Sequence, residues 1–334
     1  MNKIAAYAKL LRLPGIGALG IPAVIGALTV GVTDLYNLIL VFIIGAIACV
    51  YGFVLNDYAD IELDQLVDVL HKKPLVSGEV STKGALITTI FLMLLAFLFI
   101  SILWYGLTID IYKFMAILCI IIAGFLGSIY DLYGKRIVGS DFLVALSVAF
   151  IFLFGALSFG KPNVITWIIF VLTFNNLLYM NAIQNGIKDA DHDYKMGVNN
   201  IALNSGVKVK DDDLFIPLVF KAFGMGIRLF SACLLFVPFL FFNYDYYLWQ
   251  IIILAVFTII FLFISTKLLT MKTFNRNKIR KIIGVQSFLR YSLVPIMLIS
   301  VIGVNYSIIL IVFPILWYII FTPVLGEKFF KPRM

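Results

Sequence analysis

The chain has 334 residues, of which 62% are hydrophobic and 13% charged, and its mean hydropathy is +1.05. A soluble globule of this length cannot bury so large an apolar fraction, so the composition excludes a soluble fold and indicates an integral membrane protein. The net charge of +8 needs no nucleic-acid partner, because basic loops beside an anionic membrane surface explain it.

Apolar segments long enough to span a bilayer, roughly 18 to 25 residues each, recur along the chain. We expect an all-α, multi-pass transmembrane bundle of about ten spans. The first segment contains Pro14 and Pro22 and lacks a small-residue cleavage site, so we expect it to stay in the protein. The segments lie near residues 13–31, 37–55, 84–105, 113–130, 141–160, 164–185, 219–242, 247–268, 285–304 and 307–325.

Basic residues concentrate in alternate connections between these segments, whereas the opposite connections hold only Lys113 and Lys161. The positive-inside rule then places the basic side in the cytoplasm. We therefore expect a cell-membrane protein with both termini and its acid-rich stretches on the cytoplasmic side. The basic stretches are Lys3 to Arg12, Lys72 to Lys83, Lys135 and Arg136, Lys188 to Lys210, Lys272 to Lys281, and Lys328 to Arg333.

An acid-rich stretch, NDYADIELDQLVD, follows the second apolar segment. If the helix continues past Leu55, Asn56, Asp60 and Asp64 stack on one face over successive turns. Like charges at this spacing repel one another, so the pattern favours a bound cation that neutralises them. A solvated polar helix end is the alternative interpretation.

A second acid-rich stretch, NAIQNGIKDADHDYKMG, follows the sixth segment. Asp189 and Asp193 share a helical face, while Asp191 points away from them or belongs to the loop that Gly197 ends. The run Asp211 to Asp213 has no such spacing and is typical of a solvated loop. Two acid clusters are therefore expected on the same side of the membrane.

Several basic and phenolic residues lie on the side of the acid clusters. Tyr130 and Lys135 close the fourth segment, and each has an ordinary alternative role as an interface anchor. Arg228 and Arg290 lie several residues inside apolar segments, and intramembrane charges generally face a cavity, so both are candidates for a cavity wall. Cysteines and histidines have no paired spacing, which favours oxygen ligands and a hard cation over a thiolate or zinc site.

The two acid clusters resemble those of the UbiA superfamily of membrane prenyltransferases. That family has an NDxxDxxxD motif after its second helix, followed by a basic-Pro-Leu segment and then by a small residue and a glycine. A tyrosine and a lysine follow its fourth helix. A DxxxD motif, followed by Lys-x-Gly, comes after its sixth helix. The matching residues are Asn56, Asp57, Asp60 and Asp64; Lys73, Pro74, Leu75, Ser77 and Gly78; Tyr130 and Lys135; and Asp189, Asp193, Lys195 and Gly197.

The resemblance runs from about Arg12 through the ninth segment. The family core has nine helices around a central cavity open to the cytoplasmic side and to lipid, so a tenth helix is a departure. We expect a prenyltransferase-like helical domain over residues 1–306, followed by an additional transmembrane helix and basic tail over residues 307–334.

The resemblance implies Mg²⁺-dependent transfer of a prenyl group from a polyprenyl diphosphate to a lipophilic acceptor in the bilayer. Two Mg²⁺ ions are expected, one held by Asn56, Asp57, Asp60 and Asp64 and the other by Asp189 and Asp193. Divalent ions and basic groups stabilise the charge that develops on a leaving diphosphate. The groups expected to bind its oxygens are Arg12, Lys73, Tyr130, Lys135 and Lys188.

Other assignments remain open at this stage. Asp191 and Asp64 are both candidates for accepting the proton of the acceptor. A cation-coupled transporter would also use acids at the membrane edge, although no charged pattern continues to the opposite face. The same site could instead act on phosphoribosyl diphosphate with a polyprenyl phosphate acceptor. Acceptor, tail length and protein partners are not indicated by the residues.

Overall fold

The computed structural model describes residues 3–324, and within that range nearly all of the chain is helical. The expectation of an all-α bundle is confirmed. The helices of the first half are α1 (Lys3–Leu10), α2 (Ile16–Leu19), α3 (Ile21–Thr29), α4 (Leu35–Ala59), α5 (Ile61–Asp64), α6 (Thr82–Leu103), α7 (Ile111–Tyr133) and α8 (Asp141–Leu157). Those of the second half are α9 (Val164–Leu178), α10 (Gly186–Lys188), α11 (Ala190–Lys195), α12 (Ile201–Asn204), α13 (Leu218–Phe241), α14 (Leu248–Leu269), α15 (Arg276–Met297) and α16 (Ile299–Val324).

Shorter elements interrupt or connect these helices. The 3-10 turns cover Leu13–Gly15, Asp68–Leu70 and Gly134–Arg136, and a π-helical segment covers Tyr179–Asn185. An antiparallel hairpin pairs β1 (Lys208–Lys210) with β2 (Asp213–Phe215). The run Asp211 to Asp213 lies exposed at the turn of this hairpin, as expected for solvated acids.

The predicted apolar segments fall on helical residues, but two of the boundaries differ. The segment near 285–304 covers the end of α15 and the start of α16, and the described part of the segment near 307–325 lies within α16. In the described range, seven helices are long and apolar enough to cross a membrane, namely α4, α6, α7, α9 with its π-helical continuation, α13, α14 and α16. The first segment is a bent pair, Lys3–Leu10 and Leu13–Thr29, with an angle of 45° between its parts. Helix α8 is apolar but has 17 residues, and the first half of α15 is basic. The number of ten spans therefore stays a prediction.

Side-chain caps fix the residues at which long helices begin. Asp34 accepts a hydrogen bond of 2.9 Å from the main-chain N–H of Asn37 at the start of α4. Asp110 accepts one of the same length from the main-chain N–H of Lys113 at the start of α7. Such caps satisfy N–H groups that the first turn of a helix leaves without a partner. The register of α4 and α7 in turn fixes where the polar residues at their far ends lie.

Helices α3 and α8 approach each other so closely that only glycine fits at two positions. A Cβ atom on Gly26 would lie 2.1 Å from the main-chain oxygen of Phe152, and one on Gly155 would lie 1.9 Å from that of Ala23. Close backbone approach through small residues is the usual way in which helices pack within a membrane, where water does not drive association. This contact joins the first span to the centre of the bundle.

A break in the first span turns the Arg12 side chain toward α4. Arg12 has a left-handed backbone conformation, with φ 51°, immediately before the Leu13–Gly15 turn. A residue other than glycine adopts this conformation at some cost in energy. The break places the guanidinium Nη2 of Arg12 3.2 Å from Oδ1 of Asp57.

The last helix, α16, packs against both α15 and the broken first span. Gly303 has φ 82° and kinks the helix near its start, which glycine tolerates because it has no Cβ. The indole Nε1 of Trp317 donates a hydrogen bond of 2.9 Å to the main-chain oxygen of Leu13. The kinked helix thus lies against the first span. The basic tail predicted for residues 328–333 lies outside the described residues.

The connections predicted to share one side of the membrane do meet at one face of the bundle. The end of α7 contacts the end of α4 through Lys135 and Asp60, and the start of α15 contacts α11 through Arg276 and Asp191. At the opposite face, the Tyr306 hydroxyl donates to the main-chain oxygen of Thr33. We call the face that contains the Lys135–Asp60 and Arg276–Asp191 contacts the basic face.

Candidate active site

The first acid cluster lies at the junction of α4 and α5, where the helical path continues with only a small break at Asp60. Asp57, Asp60 and Asp64 are all buried, with 5%, 5% and 2% of their surface exposed. The expectation that the helix continues past Leu55 and keeps its acids on one side is confirmed. Buried carboxylates require partners, and these acids have them.

Each buried acid of the first cluster forms an ion pair with a basic side chain. The ammonium of Lys73 lies 3.0 Å from Asp57 and 2.7 Å from Asp64, and that of Lys135 lies 3.0 Å from Asp60. Burial alone would lower the pKa of Lys73, but the two adjacent carboxylates raise it above its ordinary value. Lys73 therefore stays charged at neutral pH. Burial raises the pKa of Asp60, an effect that Lys135 opposes.

The second acid cluster lies on α10, α11 and the residue between them. Asp193 accepts a hydrogen bond of 2.7 Å from the amide of Asn200, and Asp189 lies 3.3 Å from the ammonium of Lys188. Burial and then the neighbouring Asp189 carboxylate raise the pKa of Asp193 to about 7. The two carboxylates form a local excess of negative charge, which a cation would neutralise.

Asp191 points away from this pair, as its spacing predicts. It forms an ion pair with the guanidinium of Arg276, and that guanidinium also contacts Nε2 of His192 at 2.7 Å. Asp191 is not among the residues that line the cavity described below. Gly197, with φ 64°, ends the segment in the left-handed conformation that glycine favours.

Lys135 connects the two acid clusters. Its ammonium pairs with Asp60 of the first cluster, while its main-chain oxygen accepts a hydrogen bond of 2.8 Å from the N–H of Asn199. Asn199 follows the second cluster by six residues and precedes Asn200, which binds Asp193. These groups are distant along the chain, and the fold brings them to one place.

Both acid clusters line one cavity of about 2030 Å³ that begins at the basic face. Beyond the acids, the wall of the cavity becomes apolar and is formed by α3, α6, α7, α15 and α16, with residues such as Ile25, Ala96, Ile120 and Ile315. All predicted site residues line it, namely Arg12, Asn56, Asp57, Asp60, Asp64, Lys73, Tyr130, Lys135, Lys188, Asp189 and Asp193. A charged mouth with an apolar interior suits a ligand with a charged head and a hydrocarbon chain.

The two intramembrane arginines differ in their surroundings. Arg290 lines the cavity, as predicted. For Arg228 the prediction of a place in that cavity wall is wrong: its guanidinium is buried between the rings of Tyr179 and Phe261, at 3.4 and 4.1 Å from their centroids. It donates to Asn176 at 3.1 Å. Aromatic faces stabilise a cation in an apolar surrounding, so a buried arginine does not need the cavity.

Three polar residues of this region were missed in the sequence. Asp131 and Asp141 are buried, line the cavity and each have one carboxylate oxygen without a hydrogen-bond partner. Arg276 lines the cavity mouth and holds Asp191. Asp131 lies in the same YDLYGKR stretch as Tyr130 and Lys135. A lone carboxylate at the end of an apolar span was the available signal.

Within residues 3–324, no three side chains of aspartate, glutamate, histidine or cysteine come together closely enough to form a metal site on their own. The oxygen donors are instead distributed as carboxylates paired with lysine, the amide of Asn56, and the Asp189 and Asp193 pair. A cation at this site would share its coordination between the protein and a bound anion, which is the usual arrangement for Mg²⁺ with substrate phosphates.

Together, the fold and the site define a class of multi-pass helical membrane proteins in which acidic and basic side chains line the mouth of one apolar cavity. The chain belongs to the UbiA prenyltransferase family, whose family model matches residues 19–293. The family transfers prenyl groups, and the resemblance seen in the acid motifs is confirmed.

Individual relatives agree with this assignment. A 4-hydroxybenzoate octaprenyltransferase of Shewanella baltica is 47% identical over 70 residues, which cover 20% of this chain and 23% of the relative. A digeranylgeranylglyceryl phosphate synthase of Methanococcus vannielii is 26% identical over 243 residues, covering 71% of this chain and 78% of the relative. The match to the first relative thus spans about a quarter of its length.

A solved structure shares the fold. The UbiA homologue of Archaeoglobus fulgidus bound to GPP and Mg²⁺ superposes with a TM-score of 0.61 at 20% identity, and the match covers 92% of this chain and 99% of that chain. The helical arrangement described above is therefore that of the family.

Proposed function

We propose that this chain is an integral-membrane, Mg²⁺-dependent prenyltransferase that moves a prenyl group from a polyprenyl diphosphate to a lipophilic acceptor and releases diphosphate. The observation that carries the proposal is the convergence of both acid clusters at the mouth of one apolar cavity. The activities of the relatives and the GPP and Mg²⁺ of the Archaeoglobus homologue support the same chemistry.

The donor set suits magnesium. Asn56, Asp57, Asp60 and Asp64 would hold one ion, and Asp189 and Asp193 would hold a second. All of these ligands are oxygen donors, and the raised proton affinity of Asp193 indicates negative charge that a cation would offset. When bound, Mg²⁺ neutralises the negative charge that develops on the departing diphosphate.

The basic side chains that pair with the acids would bind the diphosphate. Arg12, Lys73 and Lys135 each lie within 3.2 Å of a buried carboxylate. A diphosphate entering the cavity offers these cations stronger acceptors, so they can turn to it and free the carboxylates for metal binding. Tyr130 and Lys188 line the same cavity and would complete the diphosphate site.

The prenyl chain would occupy the apolar part of the cavity, which we propose is open to lipid on one side. Breaking the allylic carbon–oxygen bond produces cationic character on carbon, which water would capture. Apolar walls from α3, α6, α7 and α16 keep water away from that carbon. The basic face would lie in the cytoplasm with both termini, consistent with the positive-inside rule.

We further propose that residues 1–306 form the family domain and that residues 307–334 add a helix and a basic tail. The family match ends at residue 293, before this addition. The described part of the added helix packs on the first span through Trp317 and lines the cavity with Ile315, Tyr318 and Ile319. The added helix would therefore form part of the substrate-binding wall.

The proposal is tested with purified protein in lipid nanodiscs, a labelled polyprenyl diphosphate and a native lipid extract, with products identified by mass. We expect a prenylated lipid and free diphosphate, both lost with EDTA and restored by Mg²⁺. Asp60→Ala and Asp193→Ala are expected to abolish turnover without preventing membrane insertion. Near-normal transfer by both variants would rule out the metal-site assignment, and diphosphate-independent transport of a solute would favour a transporter.

A further inference from the structure

Prenyl transfer to an acceptor that carries a proton on its nucleophilic atom or ring needs a base, and this inference rests on the proposed function. Two acids were candidates from the sequence. Asp191 pairs with Arg276 and does not line the cavity. Asp64 lies 2.7 Å from the ammonium of Lys73. A carboxylate neutralised by a cation is a poor proton acceptor, so neither has the surroundings of a base.

Asp131 has different surroundings. It lines the same cavity with 8% of its surface exposed, its Oδ2 has no hydrogen-bond partner, and it forms no ion pair with a basic side chain in the described range. Asp57, Asp60 and Asp64, by contrast, each have a basic nitrogen within 3.2 Å. A buried carboxylate without such a partner is costly, which points to a functional role.

Its position along α7 places Asp131 between the polar and the apolar parts of the cavity. Lys135, which follows by one turn, lies at the basic face and pairs with Asp60. Ser128, which precedes by one turn on the same side of the helix, lies 2.9 Å from the hydroxyl of Tyr51 and deeper in the bundle. The reacting carbon of a prenyl diphosphate is attached to the diphosphate oxygen. It must therefore lie at this same boundary.

The Asp131 carboxylate lies close to the facing helix. Gly52 of α4 lies opposite, and a Cβ atom at that position would come within 3.2 Å of Oδ2 of Asp131. A larger residue at position 52 would therefore press on the carboxylate. Tyr51, Gly52, Ser128 and Asp131 all line the cavity. An acceptor hydroxyl or ring that enters this part of the cavity would lie next to the carboxylate.

We propose that Asp131 is the general base of the transfer. The carbon–oxygen bond of the donor breaks and its electron pair leaves with the diphosphate. An electron pair of the acceptor forms the new bond to the allylic carbon, and the acceptor's proton passes to a carboxylate oxygen of Asp131. The proton is later released to water at the basic face. Positioned bases of this kind typically contribute about 10²–10⁴-fold to rate.

Asp191 provides a matched control. It was a candidate base from the sequence, but its carboxylate pairs with Arg276 and does not line the cavity. Asp141 is the other buried carboxylate of the cavity, among the described residues, with an oxygen that has no partner. It is the first residue of α8, where the helix N-terminus stabilises negative charge, and Asp131 has no such stabilisation.

The test compares Asp131→Asn, Asp191→Asn and Asp60→Asn in nanodiscs. Two quantities are measured: kcat for transfer, and the Kd of an uncleavable prenyl thiolodiphosphate in the presence of Mg²⁺. For Asp131→Asn we expect kcat to fall by about 10²-fold or more while Kd changes by less than about threefold. For Asp191→Asn we expect neither to change beyond about threefold. Asp60→Asn is expected to weaken analogue binding as well.

Analogue binding also reports that each variant is folded. The assignment would be overturned if Asp131→Asn raised the Kd of the analogue tenfold or more, or if its kcat stayed close to that of the parent protein. As a second readout, added formate should restore part of the activity of Asp131→Ala but none to Asp60→Ala, which a purely structural role would not produce. A parent protein that binds the analogue and transfers no prenyl group would instead refute the proposed function itself.

Discussion

The main-chain oxygen of Lys135 accepts a hydrogen bond of 2.8 Å from the main-chain N–H of Asn199. This bond joins the end of α7 to the loop after the second acid cluster, and the side chain of Lys135 extends the connection to Asp60 in the first cluster. One residue thus holds two halves of the site together, through its backbone in one direction and its ammonium in the other.

Replacing Lys135 by glutamine should separate its two roles. The backbone contact to Asn199 remains, while buried Asp60 loses its cation and the diphosphate loses a binding group. We expect kcat/KM to fall by about 10²-fold, as for removal of one positioned electrostatic group elsewhere. The neighbouring Arg136 is exposed and does not line the cavity. Arg136→Gln should stay within about twofold of the parent, and an equal loss in both variants would contradict the assignment.

Asp191 and Asp193 are two residues apart and should behave oppositely in an activity assay. Asp193 lines the cavity, whereas Asp191 does not line it and pairs with Arg276 at its mouth. We expect Asp193→Asn to lose Mg²⁺-dependent transfer and Asp191→Asn to keep most of it, with a modest loss of thermal stability from the broken ion pair. Turnover and melting temperature are measured on the same samples. Loss of activity in Asp191→Asn with an unchanged melting temperature would argue against this division.

Asp193 should also affect stability in a pH-dependent manner. Because burial and Asp189 raise its pKa to about 7, the folded protein holds this proton more tightly than the unfolded chain does. Stability is therefore lost as pH rises from about 4 to about 7, where the folded protein must give up the proton. In EDTA at pH 8, we expect Asp193→Asn to melt about 2–4 °C above the parent, a difference that shrinks toward pH 4.

Asparagine at position 193 keeps an acceptor for the Asn200 amide, so the comparison changes charge and little else. A lower melting temperature for Asp193→Asn at pH 8 would mean that the ionised Asp193 carboxylate does not destabilise the fold. Addition of Mg²⁺ should raise the melting temperature of the parent more than that of the variant, which keeps only the ion site of the first acid cluster.

Helix α16 predicts a size limit for the substrate. Ile315 of α16 lines the cavity, whereas its neighbour Leu316 is 50% exposed and does not line it. Ile315→Trp puts an indole into the cavity and should lower turnover with long prenyl diphosphates by about tenfold while sparing short ones, since overpacking is costly. Leu316→Trp should leave the chain-length profile unchanged. Equal profiles for both variants would place α16 outside the substrate path.

Much of the site could be read from the sequence because it depends on local spacing. The four-residue intervals from Asn56 to Asp64 and from Asp189 to Asp193 fix which side chains share a helical face, and both patterns agree with the structure. The position of Lys135 at the end of a span on the basic side was likewise readable, because the alternation of basic connections fixes on which face each span ends.

Other features depend on packing between distant parts of the chain. Arg228 looked like a cavity residue because hydropathy does not reveal that Tyr179 and Phe261 enclose it. Arg276 belonged to a basic stretch with no sign that it would meet Asp191. Asp131 had no repeated spacing to distinguish it. It differs from an interface anchor in having no ion-pair partner among the described residues. Only the three-dimensional structure shows this difference.

The π-helical segment Tyr179–Asn185 has a consequence for comparing this chain with its relatives. Such a segment accommodates one residue more than an α-helix of the same advance, and each added residue rotates the remainder of the helix by about 100°. Asp189 follows this segment and lines the cavity, so its direction depends on that offset. An alignment that treats this helix as regular will slip by one position and pair the wrong residue with the aspartate. An insertion or deletion between residues 179 and 185 therefore changes the direction of the Asp189 side chain even though the aspartate itself is kept.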